Sequence, residues 1–226
     1  MFIGHYALGF AAKRVAPRTA LGTLFVAPTL ADLLWPVFLL LGWERVTLTP
    51  ATDPFLNLTF DSYPISHSLL TLIAWGVLFA LLYFMRTRYR AGAIAIALLV
   101  VSHWVLDYIT HRPDMPLAPG GPKVGLGLWN SVAGTVAVEA VMFVAGIAVY
   151  AAGTRARDRV GRYGLLGLVA VLALSYVGSL FSPPPPSVPA LAIGGIVFGW
   201  LFVVWAWWVD GHRDATLPGT LHPHSS

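Results

Sequence analysis

Residues 91–110 read AGAIAIALLVVSHWVLDYIT. A helix of about 20 mostly apolar residues, rising about 1.5 Å per residue, crosses the roughly 30 Å hydrocarbon core of a bilayer. Yet this run contains His103 and Asp107, and His111 follows just beyond it. The three recur at i, i+4 and i+8, which places them along one helical stripe with a drift of about 40° per step. An ionisable side chain at membrane depth is costly unless it faces the bundle interior and is paired. One stretch therefore predicts both a spanning helix and a polar centre inside a bundle.

The same reading extends along the chain. Runs 20–42, 66–85, 128–151 and 188–209 are each long and apolar enough to span. Run 163–182 is equally apolar and stops at Ser182 before Pro183–Pro186, where proline removes the backbone donor. Residues 2–14 are helix-permissive but too short to cross, and are expected as a short helix dipping into the bilayer or packed on the others. Met1-Phe2-Ile3-Gly4 lacks the basic start of a signal peptide, so retention of the N-terminus is expected. The fold class is all-α: a polytopic transmembrane helical bundle of about six spans plus a short N-terminal helix. It should form one domain over residues 1–210. Residues 211–226 are expected as a polar, disordered tail whose His222 and His224 play no catalytic part.

Composition agrees. Hydrophobic residues make up 57% and charged residues 11% of 226, against about 25% charged in soluble domains. The absence of cysteine excludes disulfides, thiolate metal sites and cysteine nucleophiles. The net charge of +4 is not gathered into a nucleic-acid patch, so no nucleic-acid partner is expected and membrane lipid is. The cations alternate between connections instead. Lys13, Arg14 and Arg18, then Arg86, Arg88 and Arg90, then Arg155, Arg157, Arg159 and Arg162, then Arg213 fall on one side. Connections 43–65, 111–127 and 183–187 are poor in them. Positive-inside bias predicts both termini in the cytoplasm. Trp35, Trp43, Trp104 and Trp129 then fall towards the outer interface.

The ionisable residues within the spans are few: Asp32, His67, His103, Asp107 and Glu139, with His5 in the short N-terminal helix. Counted from the cytoplasmic ends, Asp32 and His103 both lie about 18 Å deep, Asp107 one turn higher, and His67 about 28 Å deep. Asp32, His67, His103 and Asp107 thus come from three spans to the middle and outer bilayer. Neutral imidazole with carboxylate suits a divalent ion, zinc above all, while manganese and iron accept the same set. Taken singly, a His in a span reads more often as a hydrogen-bonded packing residue than as a ligand. Glu139 has no partner readable from spacing. Past the third span, the glycines of the Gly120–Ser131 stretch let backbone approach a ligand, and Arg112 and Lys123 are candidate substrate-binding cations for a phosphate. The same stretch also reads as a plain turn, and it lacks the Gly-Lys-Ser/Thr ending of a P-loop.

Four short elements carry a resemblance: Gly4-His5, Ala31-Asp32 with Pro36, Ser66-His67-Ser68, and Ser102-His103 with Asp107 and Thr110. Together they are similar to the YdjM-like family, described as LexA-binding, inner-membrane-associated and metal-dependent hydrolases. The similarity covers about residues 1–115. The family's second element also carries another Asp and a His, where this chain has Leu34 and Trp35. A further family His, upstream of the third element, is absent from Asp61-Ser62-Tyr63-Pro64. The resemblance implies one metal ion held by His5, Asp32, His67, His103 and Asp107, with Asp107 or His111 as the catalytic group. It implies residence in the cell's inner (plasma) membrane and hydrolysis, and the depth of the site points to a lipid or lipid-linked phosphoester. The alternatives are a transporter or ion- and proton-conducting protein using the same cluster, a haem protein ligated by His67 and His103, and a vestigial site without catalysis. A phosphatidic-acid-phosphatase type is disfavoured, because no Arg lies near His103 in the third span. Nothing in the sequence indicates repressor contact or an oligomeric state.

Overall fold

The computed structural model describes residues 1–49 and 53–216. Among them, six helices are long and apolar enough to cross a membrane. In chain order the elements are α1 (Ile3–Ala12), α2 (Leu21–Leu40), β1 (Arg45–Leu48), β2 (Leu58–Ser62), α3 (Pro64–His67), α4 (Leu69–Thr87) and α5 (Arg90–Thr110). There follow β3 (Met115–Pro116), β4 (Lys123–Val124), α6 (Val132–Ala152), β5 (Thr154–Ala156), α7 (Leu165–Phe181), α8 (Val188–Asp210) and β6 (Arg213–Ala215). Each expected span appears within a few residues of its predicted bounds.

Local chemistry sets the boundaries. Ser68, Ser131 and Ser187 precede α4, α6 and α8, and each hydroxyl accepts a backbone N–H of the first turn. Arg88, at φ 53°, turns the chain sharply between α4 and α5. Helix α2 is the centre of the bundle, two-thirds of its span being buried, while α4 is mostly exposed on the outside of the bundle. Two apolar cores meet across it. One gathers Phe10, Phe25, Tyr150, Leu168, Leu172 and Phe202. The other gathers Leu24, Ala31, Leu72, Ile96, Val100 and Met115.

Helix α1 does not dip into lipid. Eight of its ten residues are buried inside the bundle. Pro28, inside α2, has no N–H to give the Leu24 carbonyl. Gly9 of α1 lies against that carbonyl so closely that an added Cβ would stand 2.8 Å from it. On the other side Gly146 of α6 meets the α1 backbone, where a Cβ would stand 2.4 Å from the Ala7 carbonyl oxygen.

The connections differ from expectation. At one end of the bundle β1 pairs antiparallel with β2, and β3 with β4. At the other, β5 pairs with β6. The polar tail expected from residue 211 is therefore ordered through Ala215, because its backbone completes a ribbon with the α6–α7 connection. Residues 217–226, with His222 and His224, lie outside the described residues. Of the tryptophans expected at the interface, Trp43 is exposed, but Trp35 and Trp104 are buried. Trp104 Nε1 donates to the Pro116 carbonyl 3.0 Å away, so this indole tail serves the interior.

At the β5–β6 end, Asp210 ties four segments together. Its carboxylate accepts from Lys13 Nζ at 2.6 Å, from the Leu21 N–H at 3.0 Å and from the Tyr150 hydroxyl at 2.8 Å. Lys13 and Asp210 are both buried, and removing one partner of a buried pair costs about 3–5 kcal/mol. Asp210→Ala is therefore expected to lower stability by about 3 kcal/mol or more, read as a lower thermal midpoint of purified protein in detergent, while Glu44→Ala, at the far end, leaves the Lys13 contacts intact.

Candidate metal centre

The site is built where α1, α2, α3 and α5 approach one another. Helix α1 carries His5, α2 carries Asp32, α5 carries His103 and Asp107, and His111 caps the end of α5. His67 was expected at the start of the second span. It sits instead on α3, a single turn that Ser68 separates from α4. The turn exists because Pro64 starts it and the extended Ser68 ends it, which aims His67 inward rather than along the span.

Asp107 is the hub. Its Oδ1 lies 2.5 Å from the Met1 amino group and 3.1 Å from His5 Nε2. Its Oδ2 lies 3.1 Å from His103 Nε2 and 3.6 Å from His111 Nε2. Asp32 Oδ1 stands 3.6 Å from His67 Nε2 and 4.0 Å from His103 Nε2. The His5 and His103 rings stack at 4.1 Å, and His67 meets His103 edge-on at 5.1 Å. His5, His67, His103, Asp107 and His111 are all buried. Asp32 is the exception, with 45% of its side chain exposed.

The donor chemistry fits a cation. His103 Nδ1 lies 2.8 Å from the Pro28 carbonyl, which can only accept. In the neutral ring the proton is therefore on Nδ1, and Nε2 presents a lone pair to the Asp107 and Asp32 oxygens. Acceptor against acceptor is repulsive, and only a ring proton or a cation between them relieves it. Consistently, His103 Nε2 and His5 Nδ1 are buried without a hydrogen-bond partner among the described residues. Two groups, His5 with His103 and Asp107, and Asp32 with His67 and His103, each bring their ligand atoms within 4.8 Å of one another. Ligands about 2.1 Å from a tetrahedral ion stand about 3.4 Å apart, close to the separations found. This His/Asp group can hold a metal ion.

A family model described as YdjM inner membrane protein matches residues 2–184. The chain belongs to the YdjM inner membrane protein family. The match runs well past residue 115, where the sequence motifs stop, so α6 and α7 are part of the family's pattern and not an appendage. With its six apolar helices, this member of the YdjM family is a multi-pass membrane protein. No curated protein and no solved structure matches the chain.

Around the cluster the remaining predicted residues take defined places. His111 Nδ1 pairs with Asp114 Oδ1 at 2.9 Å, and Trp129 covers its ring at 4.0 Å. Burial holds the His111 imidazole below its ordinary value, against the opposing pull of Asp114 and Asp107. Arg112 Nη2 donates to the Leu58 carbonyl at 3.4 Å, and Lys123 Nζ to the Phe60 and Asp61 carbonyls at 3.4 and 3.2 Å. Both cations thus brace β2 rather than point into the cluster. Glu139, for which spacing gave no partner, accepts the Phe2 and Gly4 N–H groups at 2.8 and 3.0 Å. It closes the N-terminus of α1, whose unpaired donors need an acceptor and favour a negative one. Spacing could not reveal this, because Glu139 binds backbone and its partners lie 137 and 135 residues away.

Elemental analysis of purified protein is expected to find a divalent ion in about one-to-one ratio, lost on His103→Ala or Asp107→Ala. Full retention of metal by either variant would disprove the assignment.

Proposed function

We propose that this protein is a membrane-embedded, metal-dependent hydrolase acting on a lipid or lipid-linked phosphoester, with both termini in the cytoplasm and the site towards the outer face of the inner membrane. The observation that carries this reading is an open side of the cluster. Asp32 lines a cavity of about 210 Å³ together with Phe2, Tyr6, Trp35, Phe198 and Phe202. An adjoining groove of about 650 Å³ shares Phe2, Leu191, Gly195, Phe198 and Phe202 with it and reaches Ser182 and Pro183 at the end of α7. The path to the ligand set is thus apolar over most of its length and polar at its end. That is the distribution of a lipid with a phosphoester head.

In this reading His5, Asp32, His67, His103 and Asp107 hold the ion, zinc by preference for this nitrogen and oxygen set. A divalent ion bound there lowers the pKa of water to about 7 and polarises a phosphoryl oxygen. The chain's own groups do the rest. The buried rings of His5 and His103 and the walls formed by Tyr6, Trp35 and Phe202 exclude bulk water from the cleavage point. Asp114 keeps the His111 Nδ1 proton in place, which leaves His111 Nε2 to exchange a proton beside Asp107. Arg112 and Lys123 are the cations proposed for the phosphate, exchanging the β2 carbonyls they now bind for phosphate oxygens.

The orientation is supported by the placement of the cations. Arg155, Arg157 and Arg213 lie at the β5–β6 end, opposite the cluster and its ribbons β1–β4. Purified protein in mixed micelles is expected to release phosphate or a phosphorylated headgroup from a lipid phosphoester. A chelator should abolish the release and added zinc restore it. His111→Ala is expected to lower kcat by about 100-fold while metal content stays at the wild-type level. Turnover that survives complete metal removal would overturn the proposal, and metal-dependent ion flux in vesicles without turnover would replace it with transport.

A further inference from the structure

Glu44 lies in the connection between α2 and β1, yet it is 2% exposed. Its Oε1 accepts the Ile65 and Ser66 N–H groups at 2.7 and 2.9 Å, and its Oε2 accepts the Ser66 hydroxyl at 2.6 Å. The same Ser66 Oγ lies 2.6 Å from His67 Nδ1. A hydroxyl carries a single hydrogen, and a carboxylate can only accept. The Ser66 hydrogen goes to Glu44, so Ser66 Oγ must accept from His67, and the His67 proton sits on Nδ1. Nε2 is then a bare lone pair, and it is this atom that faces Asp32.

We propose that Glu44, acting through Ser66, is a positioning residue that fixes the tautomer of His67 and aims its Nε2 into the ligand set beside Asp32. The ring's plane is fixed separately. Tyr63 lies against it at 5.1 Å and Trp35 meets its edge at 6.2 Å. Packing therefore sets where the ring lies, and Glu44 with Ser66 sets which nitrogen is free. The arrangement also couples the connection after α2 to the turn α3, because Glu44 holds two backbone donors of that turn as well as the hydroxyl. A carboxylate or hydroxyl behind a ligating imidazole raises its basicity and orients it, and its loss weakens metal binding about 10- to 100-fold. The ligand role of His67 rests on the reading given under the proposed function, but its tautomer does not.

Two measurements separate the two. Nitrogen-15 NMR of histidine-labelled, metal-free protein at alkaline pH is expected to show His67 protonated on Nδ1. Ser66→Ala should move it towards the Nε2-protonated form, and Ser66→Thr, which keeps the hydroxyl, should not. A wild-type His67 protonated on Nε2, or one indifferent to Ser66→Ala, overturns the proposal whether or not metal binds. Zinc titration against a chromophoric chelator is the second. Ser66→Ala and Glu44→Gln should weaken zinc binding about 10- to 100-fold, with Ser66→Thr close to wild type. Wild-type affinity in Ser66→Ala, with zinc lost in His67→Ala, leaves the metal reading standing and overturns the positioning role. Because Ser66→Ala removes one oxygen and leaves the Glu44 contacts with backbone in place, it reports on the relay and not on the fold of α3.

Discussion

A carboxylate buried in a helical bundle with lipid outside must find its partners within the chain, since neither water nor hydrocarbon will supply them. Asp107 imposes that requirement on the end of the bundle that carries the ribbons β1–β2 and β3–β4. Its two oxygens face four nitrogens, one from Met1, one from His5 and two from its own helix and cap. Helix α1 lies inside the bundle, against a proline-freed carbonyl of α2 and a glycine of α6. It carries His5, whose only polar contact among the described residues is Asp107. Much of the bundle's geometry follows from bringing this ten-residue helix to that carboxylate.

Satisfaction is incomplete in one respect, and that respect carries the chemistry. The Pro28 carbonyl takes the Nδ1 proton of His103, and the Ser66 hydroxyl accepts from that of His67. Both rings then turn lone pairs towards Asp32 and Asp107. A purely structural cluster would alternate donors and acceptors. Here the Met1 ammonium and His5 pair with Asp107 Oδ1, while on the side of His67 and His103 ring lone pairs meet carboxylate oxygens with the ring donors turned outward, and that side suits a cation.

The spans were legible because hydrophobic length is a one-dimensional property, and so were the candidate ligands, because a charge inside a span is conspicuous by its cost. His5, Asp32, His67, His103 and Asp107 lie in two overlapping groups that share His103. Glu44, Glu139 and the Lys13–Asp210 pair were not legible. Each meets partners far away in sequence, and none stands at a telling spacing. Glu44 was hidden for a further reason: in a connection between spans an acidic residue reads as solvated, and only the fold of β1, β2 and α3 over it reveals the burial. The ribbons escaped notice because strands of two to five residues leave no alternation long enough to read.

The division of labour within the bundle follows from where these groups fall. The residues that can hold a cation all come from the first half of the chain, so the second half first reads as scaffold. Yet α6 supplies Glu139, without which the donors of Phe2 and Gly4 would be buried unpaired beside His5. Helix α8 supplies Phe198 and Phe202 to the cavity that opens at Asp32, and α7 extends it through Ser175, Gly178 and Ser179. A ligand set assembled by α1, α2, α3 and α5 alone would lack both the support of its buried helix and the apolar approach to its one exposed carboxylate. The later helices therefore decide what can reach the centre, while the earlier ones decide what it can hold.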